Sequence, residues 1–135
     1  MGLASPAIPS ITAVLKILVV EDHLDSAAVM KYILTQAGHS VCHATSVASA
    51  LEAVTSQSFD LILSDIGLPD GDGVSLIKAV RQLCGAPAIA LSGYGMREEI
   101  ERCLRAGFNK HLIKPVTLDT LVETIAQVHA AAKAA

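Results

Sequence analysis

DLILSDIGLPDGDG, residues 60–73, is an apolar run that stops at a carboxylate and then breaks into turn residues. Its apolar part does not alternate with polar positions, the pattern of a strand covered on both faces. Asp65 stands at the carboxyl end of that strand. A helix cap is the ordinary role for such an acid, but Pro69 and the glycines that follow delay any helix by several residues. An acid there needs another partner. Three more runs end the same way: LKILVV (15–20) at Glu21–Asp22, PAIAL (87–91) at Ser92, and KHLI (110–113) at Lys114–Pro115. As neighbouring parallel strands, their carboxyl ends bring three carboxylates, a hydroxyl and an ammonium into one crevice. Open α/β sheets bind ligands in that crevice.

Three carboxylates around one point repel each other unless a cation sits among them, and a cluster of oxygen donors suits Mg2+ or Mn2+. Mg2+ keeps several waters and takes one or two carboxylates directly. Asp22 and Asp65 are the expected direct ligands, with Glu21 acting through water and a backbone carbonyl at Gly67. Asp22 alone reads equally as a cap for the helix after it. Lys114, held extended by Pro115, reads as an anion-binding group, against the plainer reading of a surface lysine. Either isomer of the Lys114–Pro115 bond fits the sequence. Ser92 reads as a donor to a bound anion or as a turn serine. His23 falls at the pocket rim, while His39, His43 and His129 read as surface or internally satisfied residues. No glycine-rich nucleotide loop, HExxH or Ser/His/Asp pattern is present.

The 135 residues, 52% hydrophobic and 17% charged, suit one compact domain. Two Phe, two Tyr and no Trp require an aliphatic core. A net charge of −3 without a basic run gives no nucleic-acid signal. Cys42, Cys84 and Cys103 are odd in number and lack CxxC spacing, as expected of reduced, mostly buried thiols in a cytoplasmic protein. No apolar run reaches transmembrane length. Residues 1–14 lack a basic start and are broken by Pro6 and Pro9, so they read as a flexible extension rather than a signal segment. Pro6 also defeats a myristoylation pattern.

Outward from 60–73, apolar runs alternate with segments of helical period. Strands are predicted at 15–20, 40–44, 59–64, 87–91 and 108–113, and helices at 24–37, 46–56, 73–83, 96–106 and 117–132. The segment 65–72 is predicted to be an irregular loop. The buried stripes are Ala27, Met30, Ile33, Leu34 and Ala37; Val47, Ala50, Leu51 and Val54; Val74, Ile77, Val80 and Leu83; Ile100, Cys103 and Leu104; and Leu118, Leu121, Ile125 and Val128. Ser46 and Thr117 are predicted N-caps, and Gly38 a left-handed C-terminal cap.

ILVVEDH (17–23), DLILSDIGLPDGDG (60–73), ALSGYG (90–95) and AGFNKHLIKPV (106–116), in that order, resemble the receiver domain of two-component response regulators of the chemotaxis-regulator type. The resemblance spans about 15–130 and implies a receiver domain over 15–132. The implied fold is a flavodoxin-like (βα)5 doubly wound parallel sheet in the strand order 2-1-3-4-5. It also implies that Asp65 accepts a phosphoryl group from a phosphohistidine on a histidine kinase or histidine phosphotransfer domain, and that the domain then switches a downstream effector. Glu21, Asp22, Asp65 and Gly67 would hold the metal, Lys114 would contact the phosphoryl group, and Ser92 would turn toward it. Two positions depart from the pattern. His111 replaces the usual Tyr or Phe three residues before the lysine, so the switch pairing becomes Ser92 with His111. Tyr94 places a ring at the pocket rim, where it would slow water attack. ALSGYG with FNKHLIKPV is similar to receivers of hybrid histidine kinases, and a single-domain regulator fits as well. A haloacid-dehalogenase-type phosphoaspartate hydrolase lacks its DxDx[TV] motif here, and a phosphorylation-incompetent pseudo-receiver would not need the full residue set.

Overall fold

The computed structural model of the chain describes residues 14–93 and 95–134. Twelve elements follow in chain order: β1 Lys16–Val20, α1 Leu24–Gln36, β2 Ser40–Ala44, α2 Val47–Ser56, β3 Leu61–Asp65, β4 Gly67–Leu68, β5 Gly71–Asp72, α3 Gly73–Val80, β6 Ala88–Ser92, α4 Arg97–Ala106, β7 Lys110–Ile113 and α5 Leu118–Ala134. Five strands form one all-parallel sheet in the order β2-β1-β3-β6-β7. Counting those five alone, this is the expected order 2-1-3-4-5.

Successive side chains on a strand point to opposite faces, and the two faces have separate cores. Leu18, Val20, Ile62, Ala88 and Ala90 pack with Val74, Leu76, Ile77, Val80 and Phe108 on the side of α2, α3 and α4. Ile17, Val19, Leu61, Leu63, Ile89 and Leu91 pack with Leu34, Leu121, Ile125 and Val128 on the side of α1 and α5. Strands β3 and β6 are buried at all five positions, while the edge strands β2 and β7 are half exposed. This explains why the central runs are apolar throughout and SVCHA is mixed. Each large apolar side chain so buried contributes about 1.5–3 kcal/mol over an exposed one.

The caps fall where the sequence suggests. Ser46 accepts from the Ser49 amide and closes a capping box, Thr117 Oγ1 accepts from the Thr120 amide at 3.2 Å, and Gly38 has φ +99°. A guanidinium clamp closes the other end of the sheet. Arg81 donates to the Ala86 carbonyl at 2.6 Å and to the Gly107 carbonyl at 2.8 and 3.1 Å. Gly107 itself turns at φ +131°, a conformation that disfavours a side chain.

Several expectations are corrected. The segment after Asp65 is a two-stranded antiparallel hairpin, with Gly67 opposite Asp72 and Leu68 opposite Gly71. Helix α3 ends at Val80, because the Leu83 and Cys84 amides both turn back to the Val80 carbonyl. Leu83 is therefore exposed rather than part of the stripe, and Leu104 and Leu118 are also exposed. The third strand starts at Leu61, which leaves Phe59 under the Lys16 ammonium, 5.4 Å from the ring centroid. Asp65 and Ser92 are the last residues of β3 and β6, inside the strands rather than after them. All three cysteines are free; Cys103 is buried, but Cys42 and Cys84 are only half-buried. Among the described residues no helix is long and apolar enough to cross a membrane. Apart from the exposed Val14, the extension read over 1–14 lies outside the described residues.

Candidate functional site

Parallel register sets the carboxyl ends of β1, β3, β6 and β7 side by side, with Asp65 paired to Leu91 and Ser92 to Ile113. Glu21 follows β1 directly and is buried. Its Oε1 accepts from Lys114 Nζ at 2.9 Å, and its Oε2 accepts from the His23 amide at 3.1 Å. Burial pushes the Glu21 carboxyl up, but the bonds from Lys114 and His23 and the Lys114 charge outweigh it and hold the group below the ordinary range. The Glu21 carbonyl accepts from His43 Nε2 at 2.8 Å, which accounts for His43 as a structural residue. His39 is likewise internally satisfied, its Nδ1 accepting from the Leu15 amide.

Asp65 Oδ1 accepts from the Ile66 amide at 2.9 Å, and Oδ2 lies 3.4 Å from Lys114 Nζ. Burial drives its carboxyl upward. Lys114 opposes that rise and Glu21 adds to it, and the net shift is up. The Lys114 ammonium is lowered by burial but raised more by its bonds and charge interactions with Glu21 and Asp65, so it is held above the ordinary range. One cation thus serves two acids, Glu21 at hydrogen-bond distance and Asp65 more loosely. Lys114 is joined to Pro115 by a cis peptide bond.

Ligand atoms of Glu21, Asp22, His23 and Asp65 all lie within 4.8 Å of one another. Asp22 Oδ1 is buried with no hydrogen bond. Its 3.5 Å approach to His23 Nδ1 is an electrostatic contact only. A buried carboxylate oxygen without a donor calls for a cation. The residues therefore fit a hard divalent ion bound through oxygen, and Glu21, already engaged on both oxygens, fits a place behind a water better than a direct bond. His23, largely exposed, stands at the rim as expected. Gly67 is exposed in β4, two residues beyond Asp65.

Ser92 is buried at the end of β6, and its Oγ lies 2.9 Å from His111 Nε2. Burial lowers the His111 pKa against the opposing charge of Glu99. The structure therefore brings together Glu21, Asp22, Asp65 and Lys114, and pairs Ser92 with His111. Tyr94, read as a rim residue, lies outside the described residues. Asp70 and Asp72 fall in the stretch of turn residues after Asp65. In the fold, Asp72 caps α3 through the Ser75 amide and binds Arg102 of α4 at 2.8 Å. The signal for Asp72 was present, an acid three residues before Ser75. The contact with Arg102, thirty residues away, has no local signature.

The family model of the response regulator receiver domain matches residues 17–126. The sensor histidine kinase RcsC of Salmonella typhimurium (strain LT2) is 35% identical over 111 residues, 82% of this chain, and the chain spans about 12% of that protein's length. An uncharacterized 14.6 kDa protein of Leptolyngbya boryana is 36% identical over 118 residues, covering 85% of this chain and 90% of that protein. A crystal structure of a CheY-like response regulator receiver domain protein from Methanospirillum hungatei JF-1 matches with a TM-score of 0.83 and 30% identity, over 87% of this chain and 95% of that one. With the sheet order and the acid-and-lysine pocket already described, these matches make the chain a member of the response regulator receiver family, a receiver domain of two-component systems.

Proposed function

We propose that Asp65 is the phosphoacceptor, receiving its phosphoryl group from a phosphohistidine on a histidine kinase or histidine phosphotransfer domain. The observation that supports this most is the placement of the Asp65 carboxylate: buried at a strand end, beside two other acids and one shared lysine. A carboxylate so placed can act as nucleophile. One Asp65 oxygen forms the new bond to phosphorus as the phosphorus–nitrogen bond of the phosphohistidine breaks. The leaving imidazole keeps the electron pair and takes a proton. Mg2+ or Mn2+, when bound, supplies the positive charge that offsets repulsion between the carboxylate and the incoming oxygens. Its holders would be Asp22 and Asp65 directly, Glu21 through water, and the Gly67 carbonyl.

Lys114 would exchange its hold on Asp65 for a phosphoryl oxygen, a single move for an ammonium already between two acids. Ser92 would release His111 and donate to the same group, shifting the loop that leads into α4. Beside Glu21 and Lys114 opens a groove of about 450 Å³ walled by Val29, Met30, Ile33, Val116 and Leu121. Val29, on that wall, is largely exposed, and Leu24 and Tyr32 are exposed elsewhere on α1. Apolar surface beside the Glu21–Lys114 pair supports a protein phosphodonor rather than a free small molecule.

The test is a small acyl phosphodonor with Mg2+, followed by intact mass. Native protein should gain one phosphate and Asp65→Asn none. Labelling of the variant at another residue would refute Asp65. Consumption of donor with no adduct accumulating would point to the hydrolase, and no reaction at all to a pseudo-receiver.

A further inference from the structure

Asp70 sits at the turn of the β4–β5 hairpin, and its carboxylate is bound to a different element. Oδ1 accepts from the Val47 amide at 2.8 Å and Oδ2 from the Ala48 amide at 3.0 Å. Val47 and Ala48 open α2, and the first amides of a helix have no partner within it. The Ser46 side chain takes the Ser49 amide, so this helix start has two caps, one local and one supplied from the hairpin. The two backbone amides hold the Asp70 carboxyl below its ordinary range even though it is exposed. The hairpin also lies close to α2 here, since a Cβ at Gly71 would come 3.2 Å from Val47 Cγ2.

Two residues per strand do not hold a hairpin by themselves. Its base is fastened by the Gly73 amide to the Ile66 carbonyl at 2.7 Å and by Asp72 to α3 and Arg102. Its tip is fastened by Asp70. Gly67 lies between these fastenings, exposed and without a side chain: on one side Ile66 is tied to the sheet through its amide and the Leu91 carbonyl at 3.0 Å, and on the other the main chain is aimed through the hairpin. We infer that Asp70 is a positioning residue for the metal: its carboxylate, seated on the start of α2, fixes the Gly67 carbonyl in the ligand set. This rests on the reading of Gly67 as a ligand given under Proposed function.

Mg2+ binding to the full chain, measured by calorimetry together with melting in chelator, tests it. Asp70→Ala should raise the Mg2+ Kd about tenfold, the low end for partners standing behind metal ligands. Asp70→Asn, whose amide oxygen still accepts one of the two bonds, should fall between. Glu52→Gly weakens α2 away from its start, and should melt lower with an unchanged Kd. If Asp70→Ala does not fold, Asp70→Asn takes its place, and a native Kd in that variant overturns the inference. So does an equal rise of Kd in Glu52→Gly, which would reduce Asp70 to a helix cap. Native protein that binds Mg2+ beside an unaffected Asp70 variant defeats this inference alone. Native protein that binds no Mg2+ defeats the Gly67 reading and this inference together.

Discussion

Asp65 and Glu21 share one lysine, which favours the ionised form of both, yet their net shifts have opposite signs. Asp65 is held above its ordinary range, chiefly by burial, and Glu21 below it. A group raised in the folded state costs stability as pH rises through its folded value, so ionised Asp65 weakens the metal-free domain at neutral pH. Asp65→Asn is therefore expected to melt higher than native protein at pH about 7 and level with it near pH 4, as melting curves in chelator would record. Glu21 has the other sign: its contribution is present above the ordinary carboxylate value and fades as pH falls. His111 follows the depressed pattern too. Its neutral form is favoured by burial, so the stability it contributes is present above the ordinary imidazole value and is lost on acidification. His111→Phe should flatten the dependence of melting temperature on pH below the ordinary imidazole value of about 6.5. The pocket residues were legible because each closes an apolar run. The pairing of Ser92 with His111 was legible only as a resemblance, since nothing in either local sequence encodes a contact across nineteen residues.

At the scale of elements, the start of α3 is a point of the pocket's framework where main chain presses on main chain. A Cβ at Gly73 would lie 2.8 Å from the Asp65 carbonyl oxygen and 3.1 Å from the Ile66 Cα, both backbone. Gly73→Ala must displace either α3 or the end of β3. The expected cost is about 1–3 kcal/mol, read in denaturant melts, with slower phosphorylation by a small phosphodonor. A conservative core change of equal cost elsewhere should leave that rate alone. Strands and helices were legible within one to three residues at most boundaries, because unbroken apolar runs and three-to-four spacing are local signals. The hairpin was not, since two-residue strands are too short to show a period. Leu83, Leu104 and Leu118 were misplaced for a related reason. Spacing identifies an apolar stripe but not where a helix stops, nor which edge of the stripe meets solvent.

For the whole molecule, the sheet separates two cores that share no residue. Leu34→Ala on one side and Ile77→Ala on the other should each cost about 2–5 kcal/mol, and the double variant should equal their sum within about 0.5 kcal/mol. Denaturant unfolding of the four proteins checks this, and a large coupling would mean that the sheet transmits repacking from face to face. That both faces would be covered was readable from the unbroken apolar runs of 61–64 and 87–91. The order in which the strands stand came from the resemblance of the motifs and not from the pattern, because periodicity records burial and not pairing. Both cores are almost wholly aliphatic, with Phe108 the one buried aromatic among the described residues, and the chain contains no Trp. Optically the protein is therefore nearly blank. An indole placed by Tyr32→Trp, on the exposed face of α1, would be the molecule's single indole, and excitation at the red edge of its absorption would separate its emission from that of the remaining tyrosine.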